Sequence, residues 1–509
     1  MMPKIRRLSK GSCALAIVGL SLLSGAAAGA QTFEDLEGQV REFTLDNGMH
    51  FLVVERKDVP VFSFTTYVNA GSSDEVTGIT GIAHILEHMA FKGTREIGTA
   101  DYKKEQKAMA AEDEAFRALK AEREKGTAAD PDRLAQLEQA FEDAKTAARE
   151  FVVSNEFGQI VENNGGRGLN AGTWTDATEY YYSFPANRLE LWAYLEGTRM
   201  TQPVLREFYT EKDGPVTEER RMRTDNSPIG MLIEQFQNLA FMAHPYHHST
   251  IGYMSDLNSI TRQDCQEFYE RHYVGQNMVC AVVGDVAFTD VERLARKYFA
   301  DVSAAEPPRV ETVEPPQQGE RREVLQHTAQ PIYALGYHIG SINDRDWPVY
   351  EAIADILGQG RTSRLYKVLV KEKKMAVQAA AFAGFPDNKY PTMLGILGIP
   401  VKDVTALELE EIIFAEIDKL VADGVTPEEL AGVKRRAKAN FVRSLRGNLG
   451  LAQQLTYYQV KTGDWHNAFR QVAEIEAVTV EDVQRVAEQI FKPNNRTVVY
   501  IETVADDEG

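Results

Sequence analysis

Cysteine is scarce, with three in 509 residues, too few to staple a small disulfide-framed domain. Positive charge is short as well: 56 Lys and Arg stand against 75 Asp and Glu, leaving a net charge of −19. Phosphate binding needs a basic footprint, so nucleic acid is not an expected partner. After the N-terminal segment no run approaches the ~20 apolar residues of a membrane span, so no stable span is expected in a mature chain. What remains is ordinary globular composition, 43% hydrophobic and 26% charged. At roughly 100–200 residues per domain, the length implies two to four domains.

Residues 1–30 read as an export signal. Lys4, Arg6, Arg7 and Lys10 form a basic start, Cys13 to Leu23 is a short apolar core, and Ala28-Gly29-Ala30 offers a cleavage site. The mature chain would begin at Gln31 and be periplasmic or secreted. Cys265 falls in a helical pattern and Cys280 in a strand, which reads as two buried free thiols rather than a bridge.

A segment with two Pro-Pro pairs, 303–320, separates two long stretches and reads as an extended linker. The first stretch, 31–302, opens with a hairpin around Asp46-Asn47-Gly48, a strand from Phe62 to Val68 and a helical pattern from Gly78 to Phe91. The second, 321–509, repeats the plan weakly, with a strand from Tyr333 to His338 and a helix from Trp347 to Leu357. One duplicated α+β unit is therefore expected, two α/β-roll domains in which sheet packs on helices. Residues 99–153, rich in Ala, Glu, Lys and Leu and broken at Gly126 to Pro131, read as a helical hairpin inserted in the first domain. The expectation for that hairpin is a solvated ornament, with a gating or partner-binding arm as the alternative.

The sharpest chemical feature is His84-Ile-Leu-Glu87-His88. On a helix, positions i and i+4 share a face, so both imidazoles project toward one point. Two such nitrogens suit a zinc ion, and the intervening Glu87 is placed to take a proton from water. His244, His247 and His248 cluster in a loop and read as packing residues.

The surroundings of this motif resemble the pitrilysin, insulinase and mitochondrial processing peptidase family of inverzincin zinc metallopeptidases, in its short two-domain type. The matching stretches are Asn69 to Glu75 with Thr80 to Thr94, Asn164-Gly-Gly166 with Leu169 to Tyr181, Glu218 to Asn226, and Asn277 to Asp285. Gly358 to Tyr366 is similar to the family's non-catalytic second domain. The resemblance implies a third zinc ligand, a glutamate on a later helix. Aligned on Arg220 to Arg223 it is Glu219; aligned on Glu211, the candidate carboxylate behind the ligands, it is Glu218. Gly214-Pro215 looks like a one-residue insertion that interrupts this helix. The resemblance also implies that an edge strand binds substrate, through Asn170, Ala171 and Thr173, and the stretch Leu169 to Tyr182 reads as one strand.

Glu351, Ala354 and Asp355 stand in the repeat where the motif stands in the first half, so one zinc per chain is expected. The expectation is an exported zinc-dependent endopeptidase that hydrolyses unfolded peptides, with Glu87 as general base. By the resemblance it works as a homodimer or as a heterodimer with a related chain. The alternatives are a subunit active only beside a zinc-free partner, and a non-catalytic scaffold that keeps the fold.

Overall fold

The structure, a computed structural model, describes residues 33–505, so the export signal read at 1–30 lies outside the described residues. Strand β6, Met278–Gly284, is buried at every position. A β-branched run of that kind must be covered on both faces. It lies inside a six-stranded sheet with β1 Val40–Thr44, β2 His50–Glu55, β3 Val61–Val68, β4 Arg167–Thr173 and β5 Thr178–Pro185. The order across the sheet is β1-β2-β6-β3-β5-β4, with β2 and β6 parallel and the other neighbours antiparallel.

The second sheet holds β7 Arg321–His327, β8 Ile332–Ile339, β9 Ala376–Phe385, β10 Thr392–Pro400 and β11 Arg496–Thr503, in the order β7-β11-β8-β10-β9. Its one parallel pair is β7 with β11. With β1 set aside, β2, β6, β3, β5 and β4 match β7, β11, β8, β10 and β9 in order and direction. The helix Ile82–Met89 falls between β3 and β4, and the helix Trp347–Gly358 between β8 and β9. The weak repeat of the sequence is therefore one α+β plan used twice.

Each half lends a helix to the other's sheet. The outer face of β2 and β6, through Leu52, Val54, Ala281 and Val283, packs on Phe441, Leu451 and Leu455 from the C-terminal half. In return Leu232 and Phe236, on the helix Pro228–Ala240, pack on Ile332, Ala334, Val499 and Ile501 of the second sheet. The linker is fastened along this exchange. The Glu314 carboxylate accepts the backbone N–H groups of Met242, Ala243 and His244 at 2.8–3.1 Å, which stabilises donors at a chain turn after the helix.

Two local expectations change. Leu169 to Tyr182 is not one strand but the hairpin β4–β5, turning at Trp174 to Ala177. That turn carries neither Gly nor Pro; it is held by tertiary contacts, the buried Asp176 accepting from Tyr246 and Lys461. The insertion does form two antiparallel helices, Tyr102–Arg123 and Pro131–Arg149, but it is docked rather than solvated. Phe116 and Phe141 pack on Tyr209, ring centroids 4.4 and 5.3 Å apart. Two of its carboxylates are buried against arginines of the domain, Glu105 on Arg206 and Glu112 on Arg262. Cys265 and Cys280 are free and buried.

Candidate metal and catalytic site

The helix that carries the motif begins at Gly81, whose φ of 91° is left-handed and whose added Cβ would lie 2.6 Å from the Ile251 carbonyl. Only glycine fits there. The first turn is capped by Glu75, which accepts from the N–H groups of Gly81 and Ala83 at 2.8 and 2.9 Å. This fixes the helix so that His84, Glu87 and His88 face the end of β4.

The next contribution comes from a continuous helical stretch, 208–225, which contains π-helical turns at Lys212–Val216 and Arg221–Asp225. The Glu219 carboxylate lies 3.7 Å from Nε2 of both His84 and His88. Among the described residues these three form a group whose donor atoms lie within 4.8 Å of one another. The His84 Nδ1 is buried with no hydrogen-bond partner among the described residues. Tetrahedral zinc with ligands at about 2.0–2.2 Å spaces its donors at about 3.4 Å. Two imidazole nitrogens and one carboxylate oxygen, already this close, fit zinc.

The eight-residue separation of Glu211 and Glu219 is the point on which the sequence was ambiguous. In a uniform α-helix seven residues return to nearly the same face, whereas eight overshoot by about 80°. The extra residue does not interrupt the helix: the π turn absorbs it, a known use of a π-bulge at functional sites. Both glutamates therefore face the histidines. Glu218 points away, exposed and paired with Arg221. Lys212 is buried and donates to the Leu257 carbonyl, away from the site.

Electrostatics favour a cation at this spot. The His88 Nδ1–H donates to Glu211 at 3.0 Å, and Lys92 holds the other oxygen of Glu211 at 2.6 Å. Burial opposes a charge on His88, yet its bonds to Glu211 and Glu219 lift it to about 9. Burial and the neighbouring His88 depress His84 to about 4. Burial raises Glu87, offset in part by the Thr173 hydroxyl, which donates to it at 2.9 Å. Arg223 bonds the second oxygen of Glu219 at 2.8 Å.

Thr173 ends β4, which among the described residues pairs only with β5 and leaves its other edge open beside Glu87. Asn170 donates to the Tyr181 hydroxyl at 3.2 Å, and Ala171 is half-buried on the same strand. The loop histidines are packing residues, as expected. His244 sits against Tyr246 and Tyr390, the His247 and His248 rings lie 5.2 Å apart, and the His248 Nδ1 is 3.7 Å from Glu75. In the second half, Asp355 pairs with Arg436 and Glu351 is half-buried on the helix Trp347–Gly358. What sequence reasoning missed is Lys92, four residues after His88, and Arg223, four after Glu219; the i, i+4 spacing was the available signal.

Known proteins can now be set beside this geometry. A family model described as insulinase (peptidase family M16) matches residues 52–121, and one described as the peptidase M16 inactive domain matches 259–437. The Glu211–Glu219 stretch lies between them. The chain is 29% identical to the zinc protease PqqE of Helicobacter pylori over 94% of its own length and 95% of that protein. It is 21% identical to a mitochondrial-processing peptidase subunit beta of Lentinula edodes, covering 88% of this chain and 86% of that one. A crystal structure of a protease from Helicobacter pylori superposes with TM-score 0.76 at 28% identity, over 91% of this chain and 99% of that one. The periplasmic protease PqqL of Escherichia coli shares the fold, with TM-score 0.67 at 17% identity, over 92% of this chain and 48% of that one.

Proposed function

The chain belongs to the M16 (insulinase) family of peptidases, and from that premise we propose that it is a zinc-dependent endopeptidase acting on unfolded peptides. The observation that carries this reading is the convergence of His84, His88 and Glu219 on one point, with Glu87 beside it. His84, His88 and Glu219 would hold the ion. Bound zinc supplies a Lewis acid for the scissile carbonyl and makes a water acidic near neutral pH.

This chain's own groups do the rest. Glu87 takes the proton of the attacking water and returns it to the leaving amine. Thr173 donates to Glu87 and so fixes the direction in which its free oxygen points. Glu211 orients the His88 ring through Nδ1 and makes its other nitrogen a better donor to a metal. The open edge of β4 accepts an extended peptide by strand addition, along Asn170 to Thr173. A substrate bound this way must be unfolded, because only an extended backbone can complete the ladder.

With no histidine at Glu351, Ala354 and Asp355, the second half contributes no second zinc in this reading. We assign 31–302 to the metal-binding domain and 321–509 to its homologous partner domain, joined by 303–320. Among the described residues no helix is long and apolar enough to cross a membrane, and the leader-like segment 1–30 supports export to the periplasm or beyond. Pairing of two chains belongs to the same reading. The second reading, a subunit that acts only beside a metal-free partner chain, is favoured by the similarity to a processing-peptidase subunit.

Incubating the purified mature chain with a mixed library of unstructured peptides tests both. Metal-dependent cleavage that Glu87→Gln lowers by about 10²–10⁴-fold supports the self-sufficient enzyme. Bound zinc without cleavage favours the subunit, and neither zinc nor cleavage overturns the peptidase reading.

A further inference from the structure

The repeat relates β4 and β5 to β9 and β10, so the turn 174–177 and the turn 386–391 are counterparts. In the folded chain these two turns meet. The Asp176 N–H donates to the Asp387 carboxylate at 3.2 Å, and the Lys389 N–H donates back to the Asp176 carboxylate at 3.0 Å. Lys461 stands between the turns and bonds both carboxylates. It belongs to the helix Asn448–Thr462, which is seated on β2 and β6 through Leu451 and Leu455. The ammonium is therefore carried by a fixed base in the C-terminal half.

Asp176 receives this hold. Its side chain is fully buried, and the Tyr246 hydroxyl lies 2.9 and 2.7 Å from its two oxygens. A turn without Gly or Pro has little local preference for one shape, so these outside bonds decide it. The turn in turn touches both supports of the reacting groups. The Ser72 and Ser73 N–H groups donate to the carbonyls of Trp174 and Thr175 at 3.2 and 2.7 Å. Their loop leads into Glu75, the cap of the motif helix. On the other side the turn follows directly on Thr173, whose hydroxyl donates to Glu87. Three residues, at most about 10 Å of chain, separate Asp176 from that threonine.

Buried ions add little net stability over apolar packing of equal volume. Stability alone therefore does not account for a buried lysine and two carboxylates at this point. What they add is direction, because each carboxylate oxygen holds its donors at set angles and so holds the turn in one geometry.

We propose that Lys461 is a positioning residue for the peptidase reaction: through Asp176 it sets the β4–β5 turn, and thereby the Thr173 hydroxyl against Glu87 and the open edge of β4 along which substrate lies. The half without the metal ligands then serves the reaction through this contact. A shift of about 1 Å among reacting groups costs on the order of 10²-fold in rate, so a slight relaxation of the turn is enough to be read. The inference rests on the metallopeptidase reading.

The test separates positioning from stability in the full mature chain. Asp176→Asn/Lys461→Met removes the hold while taking charge of both signs out of the interior, so it should unfold closer to wild type in urea than Lys461→Met does. Its kcat/KM per zinc-loaded chain on unstructured peptides should still lie at least about ten-fold below wild type, mainly through KM. The double change should cost no more activity than Lys461→Met alone, as a shared path requires. Trp174 reports on the turn without any activity. It is 46% exposed while Trp192, Trp347 and Trp465 are buried, so acrylamide quenching of tryptophan fluorescence should rise in the double variant. Tyr246→Phe, which removes one donor from Asp176 and no charge, should move both readouts the same way by less, and it decides the matter if the double variant does not fold. Activity that returns with stability overturns the inference, and so does a change in either readout without the other; both leave the peptidase reading standing. Absence of any wild-type cleavage above a Glu87→Gln blank overturns that reading and this inference together.

Discussion

Lys461, near the end of the helix Asn448–Thr462, reaches 2.6 Å from Asp176 in the β4–β5 turn. It crosses from the C-terminal half to the strand pair that borders the site. The same ammonium bonds Asp387 at 2.6 Å, and it is 1% exposed. Burial works against the Asp176 charge, but Lys461 holds it below the ordinary Asp range; Asp387 is pushed up by burial and by Asp176. Removing one partner of such a group leaves charge buried and unmatched, which costs about 3–5 kcal/mol. Lys461→Met is therefore expected to lower the unfolding free energy by that amount in urea titrations. Asp387→Asn should cost less, because Asp176 keeps its partner. Equal, small effects of the two would mean that water reaches the pair.

Glu179 gives a pH dependence of definite sign. It lies on β5 and is 5% exposed, and burial raises it from 4.5 to about 7, against a smaller opposing pull from Gln453 and Thr65. The folded chain therefore keeps a proton that the unfolded chain releases between these two values. Stability contributed by the protonated form is present below pH 4.5 and lost as pH rises toward 7, at up to about 1.4 kcal/mol per pH unit. Glu179→Gln cannot ionise, so the variant and wild type should be similar at pH 4.5. At pH 8 the variant should be more stable by about 2–3 kcal/mol. Unfolding at the two pH values checks this, and a gap that does not change with pH would place an ordinary carboxylate at Glu179.

What the sequence disclosed depended on how far apart the interacting residues lie. His84 and His88 share one helical face, so their spacing alone brought them together. The α+β repeat was legible because β3 and β8 each precede a helix with the same pattern. The turn at Trp174 to Ala177 was not, since Tyr246 and Lys461 hold it and both are remote in sequence. The docking of the insertion was hidden for the same reason: its charged composition looks solvated until Arg206 and Arg262 are seen to meet Glu105 and Glu112. The exchange of helices between sheets left no local mark at all. Leu451 and Leu455 make an amphipathic face whose partner, β6, is far away in the chain.

The π turn at Lys212–Val216 yields the most direct check on the metal site. If it stores one surplus residue, deleting Pro215 should turn it into an ordinary α turn and leave Glu211 and Glu219 seven positions apart, on nearly one face. Zinc affinity, measured by competition with a chelator, should then stay within about ten-fold of wild type, below the upper end of the loss expected when an outer partner of a ligand is removed. Inserting an alanine after Gly214 instead should rotate Glu219 by about 100° and abolish stoichiometric binding. Gly214 itself has open space around it, so a clash would not explain that loss. In the same assay Glu219→Gln should lose more than the ~100-fold typical of an outer-partner change, whereas Glu218→Gln, exposed and bound to Arg221, should bind as wild type does. If Glu218→Gln were the damaging change, the helix would have to turn the other way in the metal-bound protein, and Glu211 could no longer reach His88.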